Sequence, residues 1–204
     1  MSFFASTSPS YLILTSLDSA NAYIAHGYRK RLAECVLRVK KLGEMLLERG
    51  YTLVGDEGLK LTLKTKKYGY RGYEIADILR SDGIECEYSD PDYTVMMVTP
   101  ENGESDFERL FRALDGIHRR EEICEEPPRL DRAPVFITDA RTALMSGRTV
   151  IDTERACGRV LASLTAGCPP AVPPAVCGEL LTERAVEIYK YYGIKKCCVT
   201  SDFS

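Results

Sequence analysis

Residues 51–66 read YTLVGDEGLKLTLKTK, and the period of this stretch decides the fold class. Leu59, Leu61 and Leu63 alternate with Lys60, Thr62 and Lys64, the pattern of a strand with one buried face and one cationic face. Asp56-Glu57-Gly58 just before it carries hairpin-turn chemistry. Upstream the period is different. From Arg29 to Arg49, Leu32, Val36, Val39, Leu42 and Leu46 recur at helical spacing with charges between them, and Gly50 stands as a C-cap. Helical character is expected to begin just after Pro9.

Downstream, helical spacing returns from Gly72 to Arg80 and closes at Asp82-Gly83. Ile84, Cys86 and Tyr88 alternate with Glu85 and Glu87 as a second half-exposed strand, Asp90-Pro91-Asp92 turns the chain, and Tyr93–Thr99 reads as an apolar strand. Phe107, Leu110, Phe111, Leu114 and Ile117 then mark one helix face, with Ser105 as its expected cap. Residues 1–118 thus predict an α+β unit, a long helix feeding an antiparallel sheet covered by helices on one face. Residues 119–134, with Glu121, Glu122, Glu125, Glu126 and Pro127-Pro128, read as a charged linker. Residues 135–204 form a smaller α+β unit, with a helix near Asp139–Met145 and possible strands at Thr149–Ile151 and Arg159–Leu164. A helix at Thr182–Tyr192 and a strand at Ile194–Val199 complete it.

The 204-residue chain is 45% apolar and 28% charged, which excludes disordered, collagen-like and coiled-coil classes. A formal charge of -3 offers no global field for nucleic acid or anionic lipid. The basic run Arg29-Lys30-Arg31 reads as the solvated side of an amphipathic helix, without aromatic interleaving for base stacking. The eight cysteines, spread from Cys35 to Cys198, look like reduced thiols. No apolar run approaches the ~20 residues that span a bilayer, and no basic residue precedes the N-terminal apolar stretch, so a cytoplasmic protein is expected.

Phosphate-binding glycine motifs are absent: neither G-x-G-x-x-G nor G-x-x-x-x-G-K-[ST] occurs. Cysteine spacing does not suit zinc, and no metal site is expected. His26 and His118 read as solvated or capping residues. The vicinal pair Cys197-Cys198 sits in an apolar strand without the electropositive setting that makes a thiol reactive.

Two segments stand out. Ser6-Thr7-Ser8-Pro9-Ser10-Tyr11 places hydroxyls before a helix start, where they could hold an anion such as phosphate or simply cap the helix. Residues 168–179, CPPAVPPAVCGE, form a stiff apolar loop with four prolines that either presents Glu179 in a set geometry or is a rigid turn with a surface glutamate.

These segments carry a resemblance. STSPSY with Leu12-Ile13-Leu14-Thr15-Ser16-Leu17-Asp18 resembles the segment after the cofactor lysine in bacterial ornithine/lysine/arginine decarboxylases of the aspartate-aminotransferase fold (fold type I). Residues 50–56 (GYTLVGD), 83–87 (GIECE), the proline loop and Tyr191-Tyr192-Gly193-Ile194 follow in family order. The resemblance implies part of a lyase that uses pyridoxal phosphate as electron sink to remove the α-carboxylate of arginine, lysine or ornithine. That chemistry needs a Schiff-base lysine, carried in the family by a His-Lys pair, and the sequence has no such pair. The chain therefore looks like the small and C-terminal portion of such an enzyme, inactive alone and dependent on a cofactor-binding large domain in cis or trans.

By the same resemblance, Ser6, Thr7 and Ser8 would reach the cofactor phosphate of the neighbouring subunit of a dimer. Cys168, Pro170, Pro173, Gly178 and Glu179 would lie at the substrate entrance, with Glu179 pairing the distal amine or guanidinium of the basic amino acid. Ala171 and Cys177 replace a glycine and a proline common in the family, as in a Gram-positive subgroup. The competing expectation is a stand-alone binding module that kept the fold and lost the enzyme. A chain cut at a domain seam should also expose an apolar patch near Phe3, Phe4, Tyr11, Leu12 and Leu14, and so self-associate.

Overall fold

The computed structural model describes residues 10–129, 133, 135–163 and 172–201; Ser6, Thr7, Ser8, Cys168, Pro170 and Ala171, with Phe3 and Phe4, lie outside them. The described residues form an α+β chain in which two cores are built in sequence order.

The helical stretch is broken in two. Helix α1 (Tyr11–Ala25) and helix α2 (Tyr28–Glu48) are separated at Gly27, whose φ of 80° lies in the left-handed region that glycine enters without a Cβ penalty. Helix α2 buries Cys35, Val39, Leu42 and Leu46, the expected stripe, and ends before Gly50, where φ is 86°. Four strands follow in the spatial order β1 (Leu53–Val54), β2 (Lys60–Lys64), β4 (Tyr93–Met97), β3 (Tyr88–Ser89), all antiparallel. Leu61 pairs with Met96 and Leu63 with Thr94, so Leu61, Leu63, Thr94 and Met96 point together into the core. Helix α3 (Gly72–Ser81) and helix α4 (Glu104–Asp115) close that core with Ile75, Leu79, Phe107, Leu110 and Leu114. Leu63, Ile75, Leu79 and Leu114 are fully buried.

Two local expectations change. Residues 84–87 do not join the sheet as a strand: Ile84 N–H donates to Leu79 O in the helix-closing turn, and pairing begins only where Glu87 N–H reaches Val95 O. Helix α4 is capped by its own first turn rather than by Ser105, because Asp106 Oδ2 accepts from Gly103 N–H at 2.9 Å.

The second unit comprises α5 (Ala140–Met145), β5 (Arg148–Asp152), α6 (Glu183–Tyr191) and β6 (Lys196–Thr200), with β5 and β6 paired antiparallel. Asp139 and Thr182 cap the two helices with side-chain oxygens. Residues 159–163 contribute only isolated bridges, Val160 to Leu180 and Leu161 to Val199, in place of the expected strand. Ala156, Leu161, Leu181, Ala185, Tyr189, Cys197 and Val199 fill this core. Between the units, residues 121–129 are irregular but anchored, with Ile123 N–H donating to Lys66 O at 3.0 Å.

The cysteines divide. Cys35, Cys177 and Cys197 are buried free thiols, whereas Cys124 and Cys157 are exposed. No helix among the described residues is long and apolar enough to cross a membrane.

Helix α1 buries nothing: Tyr11 and Leu12 are 85% and 84% exposed, and Ile13, Leu14, Leu17 and Ile24 are exposed with them. Exposed apolar side chains clustered in this way mark an interaction surface. The purified chain should therefore self-associate in light scattering, and Leu14→Glu with Leu17→Glu should return it toward a monomer. A clean monomer at high concentration would count against this.

Candidate functional site

The second unit docks at one end of the two central strands of the sheet, through a buried polar cluster. The Asp90-Pro91-Asp92 turn is built by Asp90, whose Oδ1 accepts from the N–H groups of Asp92 and Tyr93, each at 2.7 Å. This turn aims Asp92 inward, where its Oδ1 lies 2.9 Å from Lys66 Nζ with both side chains 4% exposed. Lys66 sits on a short 3₁₀ turn just after β2, and its Nζ also donates to Glu125 O at 2.7 Å and to Tyr191 Oη. Tyr191, at the end of α6, donates toward the Asp92 carboxylate, with Oδ1 and Oδ2 at 2.8 and 2.9 Å. Burial, followed by the hydrogen bond to Asp92, pushes the Tyr191 hydroxyl far above the ordinary phenol range. Arg71 adds a 2.6 Å pair to Glu125. One lysine, one arginine, two carboxylates and one tyrosine thus pin the sheet, residues 121–129 and α6 together.

Beyond that seam the proline loop returns along the second unit. Gly178, at φ 92°, donates its N–H to Leu161 O and accepts at its carbonyl from Ile137 and Thr138. Glu179 follows it, 7% exposed, with Oε2 accepting from Val176 N–H at 2.9 Å and its backbone pairing with Leu161 and Phe136. It is not a surface glutamate. Its side chain borders a cavity of about 180 Å³ lined also by Pro173, Pro174, Thr182 and Arg184, and it has no ion-pair partner among the described residues. The hydroxyl of Tyr189 is buried without a hydrogen-bond partner among those residues. Burial, then Cys197 and Glu179, raise its pKa to about 12. The arrangement can hold a cation or a hydrogen-bond donor at a fixed carboxylate.

Pro173 and Pro174 also form one wall of a second, wider cleft of about 500 Å³ on the outer face of the sheet, opposite Tyr88, Tyr93 and Val95. Of the residues singled out in the sequence, Pro173, Gly178 and Glu179 are placed in this region; Ser6, Thr7, Ser8, Cys168 and Pro170 lie outside the described residues. Sequence reading missed Lys66, Asp90 and Asp92 as site residues. Their signal, a charged side chain beside an Asp-Pro-Asp turn, is the same as that of any solvated hairpin.

Among the described residues there is no group of three or more His, Cys, Asp or Glu placed to hold a metal. Among the described residues one lysine is buried. Lys66, the buried one, has its Nζ held by Asp92, Glu125 O and Tyr191.

No protein-family model matches the sequence. The chain is similar to the arginine decarboxylase of Bacillus subtilis, 29% identical over 209 residues, a match that spans 91% of the chain and 42% of that protein. It is 27% identical over 201 residues to the arginine decarboxylase of Halalkalibacterium halodurans, covering 90% of the chain and 41% of that protein. Among solved structures, the constitutive lysine decarboxylase of Escherichia coli superposes with a TM-score of 0.67 at 14% identity, over 98% of this chain and 45% of that one. The lysine decarboxylase of Francisella novicida superposes with a TM-score of 0.52 at 13% identity, over 74% of the chain and 32% of that one. The chain thus spans less than half the length of the proteins it matches.

Proposed function

From the relation of this chain to the bacterial ornithine/lysine/arginine decarboxylases, we propose that it acts as the C-terminal portion of a pyridoxal-phosphate-dependent decarboxylase of a basic amino acid. It supplies binding groups to a site whose cofactor lysine lies on a large domain in cis or trans. Pyridoxal phosphate, when bound, supplies the electron sink for the carbanion that decarboxylation leaves. In this reading Ser6, Thr7 and Ser8 reach the cofactor phosphate of a neighbouring subunit, next to the start of α1. The side chain of Ser10 there makes no capping hydrogen bond. Glu179, with Cys168, holds the distal cation of the substrate.

The observation that carries the reading is the relation over nine-tenths of the chain to arginine decarboxylases. Glu179 supports its substrate side, as a carboxylate buried, oriented and free of any cation among the described residues. Leaving such a charge unpaired is costly, and a substrate ammonium or guanidinium would offset the cost.

The test is reconstitution. The purified chain should release no CO2 from arginine, lysine or ornithine with pyridoxal phosphate present, and adding the large domain of a relative should restore turnover of one of them. In the reconstituted enzyme Glu179→Gln should lower kcat/KM at least ~30-fold, the size expected when one member of a buried charge pair is lost. Turnover by the chain alone, with a borohydride-stable adduct on one of its lysines, would overturn the proposal.

One observation favours a second reading, a stand-alone non-catalytic module: both hydrophobic cores close within the chain itself. That reading expects no activity on addition of a large domain.

A further inference from the structure

The wider cleft holds a feature that the decarboxylase reading does not use. It is lined by Asp90, which is 5% exposed, by Tyr88 and Tyr93 of the sheet, and by Pro173, Pro174, Ile188 and Tyr192 of the second unit. Asp92, two residues on, is neutralised by Lys66, but Asp90 has no ion pair among the described residues. A buried carboxylate without a counter-ion is costly, and tyrosine faces attract cations.

We propose that this cleft binds a primary alkylammonium ion, with Asp90 as counter-ion and the tyrosines enclosing the methylene chain. The acceptor inventory of Asp90 chooses between ammonium and guanidinium. Its Oδ1 already takes two backbone N–H groups, and its Oδ2 takes the Tyr88 hydroxyl at 2.9 Å. Counted among the described residues, one acceptor position remains on Oδ2, enough for a single N–H of a point-charge ammonium and too few for the two-pronged fork of a guanidinium. Burial, then the negative charges of Asp90 and Asp92, raise the pKa of Tyr192 and keep it a neutral phenol. The apolar side of the cleft, Val95, Val172 and the two prolines, suits a short alkyl stem.

The test uses the whole chain without cofactor or large domain, so its outcome is independent of the decarboxylase reading. Titration with n-butylammonium chloride at neutral pH, followed by the ring NMR signals of Tyr88, Tyr93 and Tyr192, should give saturable shifts. Butan-1-ol should give none, and N-propylguanidinium should bind at least ~10-fold more weakly. Asp90→Asn keeps an oxygen for the two backbone N–H groups and should weaken butylammonium at least ~10-fold. Tyr192→Leu, which lies outside the turn, should weaken it ~3-fold or more and decides the matter if the Asp90 variant fails to fold. Equal binding of the amine and the alcohol would overturn the proposal. So would a guanidinium that binds as tightly as the amine, or an affinity unchanged in the folded variants.

Discussion

Lys66→Met should lower the unfolding free energy by about 3–5 kcal/mol, the usual effect of removing one partner from a buried ion pair. The substitution keeps the length and apolar stem of the side chain, so the loss reports the charge. Without the ammonium, Asp92 keeps the Tyr191 hydroxyl and loses its only ion-pair partner among the described residues, at a position where both side chains are 4% exposed. Glu125 O loses its donor as well. Replacing both partners, Lys66→Met with Asp92→Leu, should recover most of the stability, since a well-packed apolar pair in such a place is often as stable as the ionic one. Urea denaturation of the three variants measures this. A single-variant loss below ~1 kcal/mol would mean the pair is hydrated and not the buried seam described here.

The same cluster sets which unit feels the loss. Lys66, Asp92 and Arg71 belong to the sheet unit, Glu125 to the following irregular stretch, and Tyr191 to α6. Amide exchange should therefore quicken first in α6 and β6, while α3 and β2 keep their protection, because the sheet core is closed by its own leucines. Since Glu179 reaches α6 through Leu181 and the Thr182 cap, loosening the seam would also loosen the candidate substrate carboxylate.

Much of the fold was legible because its signals are local. The alternation at Leu59–Lys64 marks β2, Gly50 and Gly83 take the left-handed turns that end two helices, and the apolar face of α4 reads directly from Phe107 to Leu114. What the alternation cannot say is what covers the other face. Thr62 was expected on the exposed cationic face, yet it is half-buried together with Tyr93 and Val95, because the second unit supplies Pro173, Pro174 and Tyr192 opposite them. Residues 84–87 failed as a strand for a related reason. Alternation there is real, but the Asp82-Gly83 turn holds Ile84 against Leu79, and β4 has a partner for residues 88–89 only, with Glu87 donating at the margin. The exposed face of α1 was legible, since Tyr11, Leu12, Ile13 and Leu14 are consecutive and no single helix stripe can bury them all. In the site, Glu179 stood out because four prolines precede it. Asp90 and Asp92 did not, because the side chains that make a turn and those that hold a cation are the same residue type.

Gly178→Ala should destabilise the chain by about 3 kcal/mol or more. Two separate penalties meet there. The φ of 92° is unfavourable for any L side chain, and a Cβ would stand 2.3 Å from Thr138 O, a backbone atom that cannot swing aside. Moving either strand of chain breaks hydrogen bonds on both sides of the glycine, from Gly178 N–H to Leu161 O and from Ile137 and Thr138 to Gly178 O. Gly193 separates the two penalties: its φ is 75°, but a Cβ would meet nothing within 4 Å, so Gly193→Ala should cost only ~1 kcal/mol. Urea midpoints of the two variants give the difference directly. Exchange of the Leu161, Glu179 and Leu180 amides should quicken in Gly178→Ala and stay protected in Gly193→Ala. If the two substitutions cost the same, the close approach of Thr138 does not constrain the loop, and Glu179 is not held by the backbone contacts described above. A large gap would mean that the glycine before the carboxylate is required by packing as well as by conformation, which ties the position of Glu179 to the 135–140 segment rather than to the prolines alone.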